Sequence, residues 1–161
     1  YSSDYPIGIV NIIKKGEKSL GLMIDEDLTI MATFRSGGRV MYGIVGAGVN
    51  FKDDGDPLFA MEAGIGAHVN ISKSFRLNIE GTGTSYTDTD LETYFRSSLR
   101  LLPTLHLGKA MDIYAGPSLS YIVYDGGNST RLGENYVWTE KAWDYVHRLY
   151  CGGVAGIQFH L

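Results

Sequence analysis

The chain has 161 residues, a net charge of −4, 21 glycines, 11 tyrosines, 4 prolines and a single cysteine. That length suits one domain, the negative balance argues against a broad electrostatic attraction to nucleic acid, and Cys151 alone excludes an intrachain disulfide and a cysteine-based zinc centre. Mean hydropathy is −0.05, and no apolar run reaches the ~18 residues of a membrane helix, a profile shared by soluble domains and strand-built membrane barrels.

Residues 5–13, rich in Ile and Val, predict a first strand. No basic region precedes the apolar run 7–13 and no small-residue cleavage site follows it, so no secretory signal is visible. An exported protein would then start after its signal, or partway into a longer chain. Residues 14–18 form a charged loop. A second strand runs down to Arg35, with Leu28, Ile30, Ala32 and Phe34 on one face. Its upper part, 20–24, is interrupted by Asp25, Glu26 and Asp27, expected above a bilayer or at a bulge. After a tight turn at 36–38, a third strand over 40–51 turns Met41, Val45, Ala47, Val49 and Phe51 outward. A fourth over 58–71 turns Phe59, Met61, Ile65, Val69 and Ile71 outward and Glu62, His68 and Asn70 inward. The turn 72–74 leads to a fifth strand (75–86), the acidic loop 87–93 to a sixth (94–107), and the turn 108–110 to a seventh (111–124). The long loop 125–144 precedes an eighth strand over 145–161.

Within 75–124 the alternation has a definite polarity. Phe75, Leu77 and Ile79 oppose Arg76, Asn78 and Glu80; Leu99, Leu101 and Leu105 oppose Arg100 and His106; Ile113 and Leu119 oppose Asp112 and Ser120. Strand side chains alternate faces, so each segment has one apolar and one charged face. Charged residues in mid-strand fit a barrel with an apolar exterior and a polar lumen. Eight strands, with short turns on one side and longer loops on the other, is the pattern of a transmembrane barrel, although many soluble barrels also have eight strands. The outward aromatics fall into two bands, Phe51, Phe59, Phe95 and Tyr121 above and Phe34, Phe75 and Phe159 below, as girdles at two membrane interfaces would. The fold expected is therefore all-β: an eight-stranded antiparallel up-and-down transmembrane barrel with a polar lumen, as one domain over 1–161, alone or at the C-terminal end of a longer protein. The alternative is a soluble lipocalin-like barrel, with Leu99, Leu101, Leu105, Ile113 and Leu119 inside.

Folding neighbouring strands about their turns sets Glu80 opposite Arg100, His106 opposite Asp112, His68 opposite Asn78 and Asn70 opposite Arg76. Opposed residues in a ladder are close enough to pair, and a buried charge requires a partner. Glu62, Arg76, Arg96 and these two charged pairs are the expected lumen network. Arg35, Arg76, Arg96, Arg100 and Arg148 outnumber Glu62, Glu80 and Asp112 inside, which would favour anions in a narrow pore, but side chains normally fill an eight-stranded interior.

The last residues, Gly156-Ile157-Gln158-Phe159-His160-Leu161, resemble the terminal signal of outer-membrane barrels, with Phe159 and Leu161 in its hydrophobic slots. The signal departs from the usual form at Ala155 and in ending on Leu161 rather than phenylalanine. On this and the strand pattern the chain resembles the small eight-stranded barrels of the OmpA/OmpX/OmpW type. The resemblance implies a bacterial outer-membrane location with both termini periplasmic. It also implies contact with outer-membrane lipid and lipopolysaccharide, and handling by the barrel-assembly machinery. Some such barrels modify lipid A through a Ser/His/acid set. Here only His147 lies high, near Ser129, Glu134 and Glu140, and no His-x-Ser-Asn motif is present. The acidic groups Asp53, Asp54, Asp56 and Asp88, Asp90, Glu92 lack the ligand ladder of a calcium loop, so no metal or cofactor is expected. Tyr136, Trp138, Trp143 and Tyr145 suit either a surface that binds a protein partner or a loop packed over the barrel mouth. The expected role is non-enzymatic, structural, anchoring or surface-interacting. A lipid A-modifying enzyme and a narrow solute channel are the alternatives.

Overall fold

A computed structural model describes residues 17–38, 40–51, 57–87, 93–125, 132–133 and 136–161. Regular structure among them is entirely β: β1 (Glu17–Asp25), β2 (Thr29–Gly37), β3 (Met41–Asn50), β4 (Leu58–Asn70), β5 (Phe75–Thr87), β6 (Thr93–Leu107), β7 (Met111–Asp125), β8 (Tyr136–Ala142) and β9 (Tyr145–His160). β1 to β7 pair in sequence order, β9 pairs with β7, and β9 also pairs with β1, closing an eight-stranded antiparallel up-and-down barrel.

The closure is staggered. Stepping from Leu22 through partners Ala32, Ala47, Met61, Ser85, Phe95 and Val123 arrives at His147. Leu22 itself pairs with Ile157, ten positions further along the same strand. For eight strands, that stagger sets a strand tilt of about 40°. The tight turns after β2, β4 and β6 mark one rim, termed lower; the other is the upper rim.

Two elements differ from the sequence expectation. The strand foreseen over 5–13 lies outside the described residues, and the long strand foreseen down to Arg35 is a hairpin, β1–β2. Asp25, Glu26 and Asp27 make its turn rather than a bulge in one strand. Asp25 Oδ1 accepts from the backbone N–H of Asp27 and of Thr29, both at 3.0 Å, and Leu28 takes φ 60°. Asp favours such local side-chain turns, whereas left-handed Leu is uncommon, so nothing at Leu28 announces the reversal. The second difference is β8, which lies within the expected loop 125–144. It pairs with the upper part of β9, from Tyr145 to Tyr150. β1 occupies the same edge of β9 only lower down, from Val154 to His160. β8 thus takes up the edge that the short β1 leaves.

The faces alternate along every barrel strand. On β4, Phe59, Met61, Ile65 and Val69 face outward and are exposed, Met61 to 71 %, while Leu58, Ala60 and Glu62 are buried inside. Leu99, Leu101, Leu105, Ile113 and Leu119 are likewise exposed on the exterior, opposite to the inward placement expected of a lipocalin-like barrel. At the lower rim Phe159, Leu20 and Phe34 are successive partners around the wall, and Phe75 faces Leu105. Phe51, Phe59, Phe95 and Tyr121 stand exposed towards the upper rim.

Candidate functional site

The lumen is filled by ion pairs arranged at three heights. At the top, Arg96 Nη2 donates to Asp25 Oδ2 at 2.6 Å and its Nη1 to Asp27 Oδ2 at 3.4 Å, with the guanidinium 5.1 Å from the Tyr86 ring centre. Tyr150 OH donates to the same Asp27 oxygen at 2.7 Å, and the Gly133 N–H reaches Asp27 Oδ1 at 3.1 Å. Glu26 turns inward as well, accepting from Ser118 and Ser120. The β1–β2 turn is therefore a plug of carboxylates inserted beneath Arg96. These acids, expected above a bilayer or at a bulge, were left out of the interior count, which therefore showed an excess of arginine. Among the described residues Arg35, Arg96 and Arg100 are buried with Asp25, Asp27, Glu62, Glu80 and Asp112, which removes that excess.

At mid-height, Arg100 forms a fork with Glu62: Nη1 to Oε1 at 2.8 Å and Nη2 to Oε2 at 2.5 Å. Thr84 donates to Glu62 as well, at 3.1 Å. Glu80 is Arg100's register partner, yet its carboxylate goes mainly to Arg35, whose Nε donates to Oε1 at 2.9 Å, and to Tyr42 OH at 2.8 Å. Arg100 approaches Glu80 only to 4.0 Å. Inside a narrow barrel a long arginine reaches past its ladder partner to a strand further round, which opposed-pair reasoning does not see. Arg96 and Arg100 are 1 % exposed, and Glu62 and Glu80 are buried beside them. Bidentate, fully desolvated pairs of this kind are costly to break from one side.

The lower mouth is more open. Arg76 lies there, held by Asn70 Oδ1 at 2.9 Å and Glu17 Oε2 at 3.3 Å, so it borders the network rather than joining the mid-height pairs. His68 stacks on Tyr42, and Asn78, its register partner, donates to Thr104 at 2.9 Å. A small pocket of about 20 Å³ opens beneath Arg35 and Tyr42, room for about one water. Beside it His106 and Asp112 are register partners, with Nδ1 and Oδ1 2.6 Å apart, and His160 Nε2 stands 2.9 Å from Asp112 Oδ2. His160 was not foreseen as part of this group, although its parity on the last strand matches Gln158, which points inward.

At the upper rim the four aromatics foreseen as an interaction surface sit on one hairpin, β8–β9. Tyr136 and Trp138 lie on β8, Trp143 at the turn with φ 58° and Tyr145 at the start of β9. All four are exposed, Trp143 to 95 %, and the intervening Val137 is exposed too. Tyr136 also lies under Arg148, 5.3 Å from the guanidinium to the ring centre. Among the described residues β8 pairs only with β9, so its outer edge meets no described strand. Nearby, His147 is bonded at Nδ1 by Tyr121 OH at 2.6 Å, the two rings stacked. Of the residues named beside His147 for the lipid A-modifying alternative, Glu140 is exposed on β8, while Ser129 and Glu134 lie outside the described residues, as do the acidic groups at 53–56 and 88–92.

The fold and its interior define a class: a closed eight-stranded barrel, apolar outside, with an ion-paired lumen. No family model matches the chain, and neither a curated protein nor a solved structure is significantly similar to it.

Proposed function

We propose that this is an integral barrel of a bacterial outer membrane, closed to solutes, that anchors and presents the β8–β9 hairpin for contact with a protein partner. The observation that carries the membrane reading is the inverted polarity of the wall. From Phe59 on β4 to Ile71 just past its end, the outward residues are uniformly apolar; at 3.3 Å per residue and this tilt they cover about 30 Å of height. A bilayer's hydrocarbon core has about that thickness. In water, Leu, Ile, Met and Phe on every wall strand would form an apolar patch far beyond the few hundred Å² that soluble monomers tolerate. The buried Arg96 and Arg100, each forked onto carboxylates, support a plugged lumen rather than a pore. The hairpin supports the contact role: a strand edge that meets no described strand is a template for added strands, and exposed Trp and Tyr supply anchoring area.

The test has two arms. Purified protein should stay monodisperse only with detergent or lipid, and it should partition into the outer-membrane fraction of a Gram-negative host. A protein monodisperse in plain buffer overturns the membrane reading. Reconstituted in planar bilayers it should give no steady conductance steps; steps that scale with protein would favour the channel alternative. Cross-linking from a cysteine placed at Trp143 should yield a discrete adduct on intact cells. That adduct should be lost when Trp138 and Tyr136 are changed to Ser.

A further inference from the structure

The lower mouth holds a group that the ion-paired lumen does not account for. His106 is the second-last residue of β6, Asp112 the second of β7 and His160 the last of β9, on adjacent strands of the wall. Gly108, at φ 81°, sets the tight turn between the first two. The backbone N–H of His160 donates to the Ala110 carbonyl at 2.9 Å, tying the third residue to the same turn. Two imidazole nitrogens and a carboxylate oxygen thereby lie within 4.8 Å of one another.

Asp112 is 1 % exposed, and among the described residues its ionic partners are these two histidines and no arginine or lysine. Its Oδ2 is buried and has no hydrogen bond among the described residues, although His160 Nε2 lies 2.9 Å away. Elsewhere in this lumen the buried carboxylates Asp25, Asp27, Glu62 and Glu80 meet arginine. Here a buried carboxylate faces two imidazoles and, among the described residues, no cationic side chain of lysine or arginine, and its Oδ2 has no hydrogen-bond partner there. A buried charge left in that state is unfavourable.

We propose that His106 Nδ1, Asp112 and His160 Nε2 bind a divalent transition-metal ion of the zinc–copper–nickel class at the lower mouth of the barrel. Imidazole with one carboxylate is the donor set these borderline ions take, at about 2.0–2.2 Å from each atom. In tetrahedral geometry the donors would stand about 3.4 Å apart, so the His106–Asp112 contact of 2.6 Å opens slightly on binding. The ion supplies the positive charge that Asp112 lacks. The histidine side chains are 16 % and 23 % exposed, which gives the ion a path in and leaves a coordination position towards the mouth for water. The other two histidines are committed elsewhere: His68 stacks on Tyr42, and His147 bonds Tyr121 at the opposite rim.

The test uses the whole chain without an affinity tag, folded in detergent and stripped with a chelator, then titrated with Zn²⁺ and, separately, Cu²⁺. One Zn²⁺ per chain should bind saturably, and the Cu²⁺ form should give an electron paramagnetic resonance spectrum with coupling to two nitrogens. H160Q and D112N keep a hydrogen-bonding group at each position and should weaken binding by about tenfold or more. H68Q should leave it unchanged. Zn²⁺ should also raise the thermal midpoint of the wild type but not of H160Q. Failure of the wild type to bind saturably, coupling to fewer than two nitrogens, or wild-type affinity in H160Q and D112N would each overturn the proposal. The spectrum of the wild type decides the matter even if a variant does not fold.

Discussion

Replacing Arg100 with Met removes the fork on Glu62 while keeping most of the side-chain volume. Two charge-assisted bonds are lost, at 2.8 and 2.5 Å, and Glu62 is left buried with Thr84 as its hydrogen-bond partner among the described residues. Breaking a buried pair from one side costs about 3–5 kcal/mol, because the surviving charge keeps its desolvation penalty without its partner. Glu62→Gln should cost less, about 1–3 kcal/mol, since Arg100 still has Glu80 at 4.0 Å and can move towards it. The double variant R100M/E62Q carries no orphan charge at either position and should be more stable than R100M alone. The coupling energy from this cycle should reach about 2 kcal/mol or more. Equilibrium urea unfolding in lipid vesicles, followed by far-UV circular dichroism, measures all four proteins. A loss below about 1 kcal/mol for R100M, or additive losses in the double variant, would refute the claim that this pair is a coupled, desolvated unit.

Gly66→Ala should destabilise by about 1–3 kcal/mol, because a Cβ there would lie 2.4 Å from the Tyr42 ring. Displacing that ring also breaks the Tyr42–Glu80 bond, so near-UV circular dichroism should change along with the unfolding midpoint. Leu101→Arg, on the outward face at mid-height of β6, should cost about 2–4 kcal/mol in vesicles, whereas Leu107→Arg at the lower rim should cost about 0–1 kcal/mol. Equal, small costs at both positions would mean that the face meets water. Trp143→Ala should leave stability within about 0.5 kcal/mol, because the ring is 95 % exposed. A large loss would mean that the hairpin packs against something in the folded barrel.

Much of the wall was legible in the sequence, because period-two alternation and short turns fix register directly. The opposed pairs Asn70–Arg76, His68–Asn78, Glu80–Arg100 and His106–Asp112 are the partners in the folded ladders. The interior ion pairs were less legible. Ladder arithmetic reports Cα neighbours, while Arg35 and Arg100 each span a side-chain length across the lumen to Glu80 and Glu62. The β1–β2 hairpin was hidden for another reason. Leu22, Ile24, Ile30 and Ala32 keep one parity through the reversal, so a continuous strand and a hairpin read alike, and the turn lacks Gly, Pro and Asn. The short β8 was missed because Tyr136 and Trp138 on an outer ribbon obey no inside–outside alternation: nearly all of its residues are exposed.

The uneven edge of β9 bears on how the barrel is made. The ladder between β1 and β9 runs only from Ser19–His160 to Asp25–Val154, and its partners are further apart in sequence than those of any other ladder in the wall. Loop-closure entropy makes such a contact the slowest to become favourable. The hairpins from β2 to β7 can zip up locally, leaving β1 and β9 to meet last. Above Val154 no backbone ladder joins the two strands. There the wall is fastened by side chains, with Glu26 on Ser118 and Ser120 and Asp27 on Tyr150. Assembly therefore ends with a clasp rather than a completed weave, and the same clasp is where the finished barrel can part at least expense in broken strand pairing.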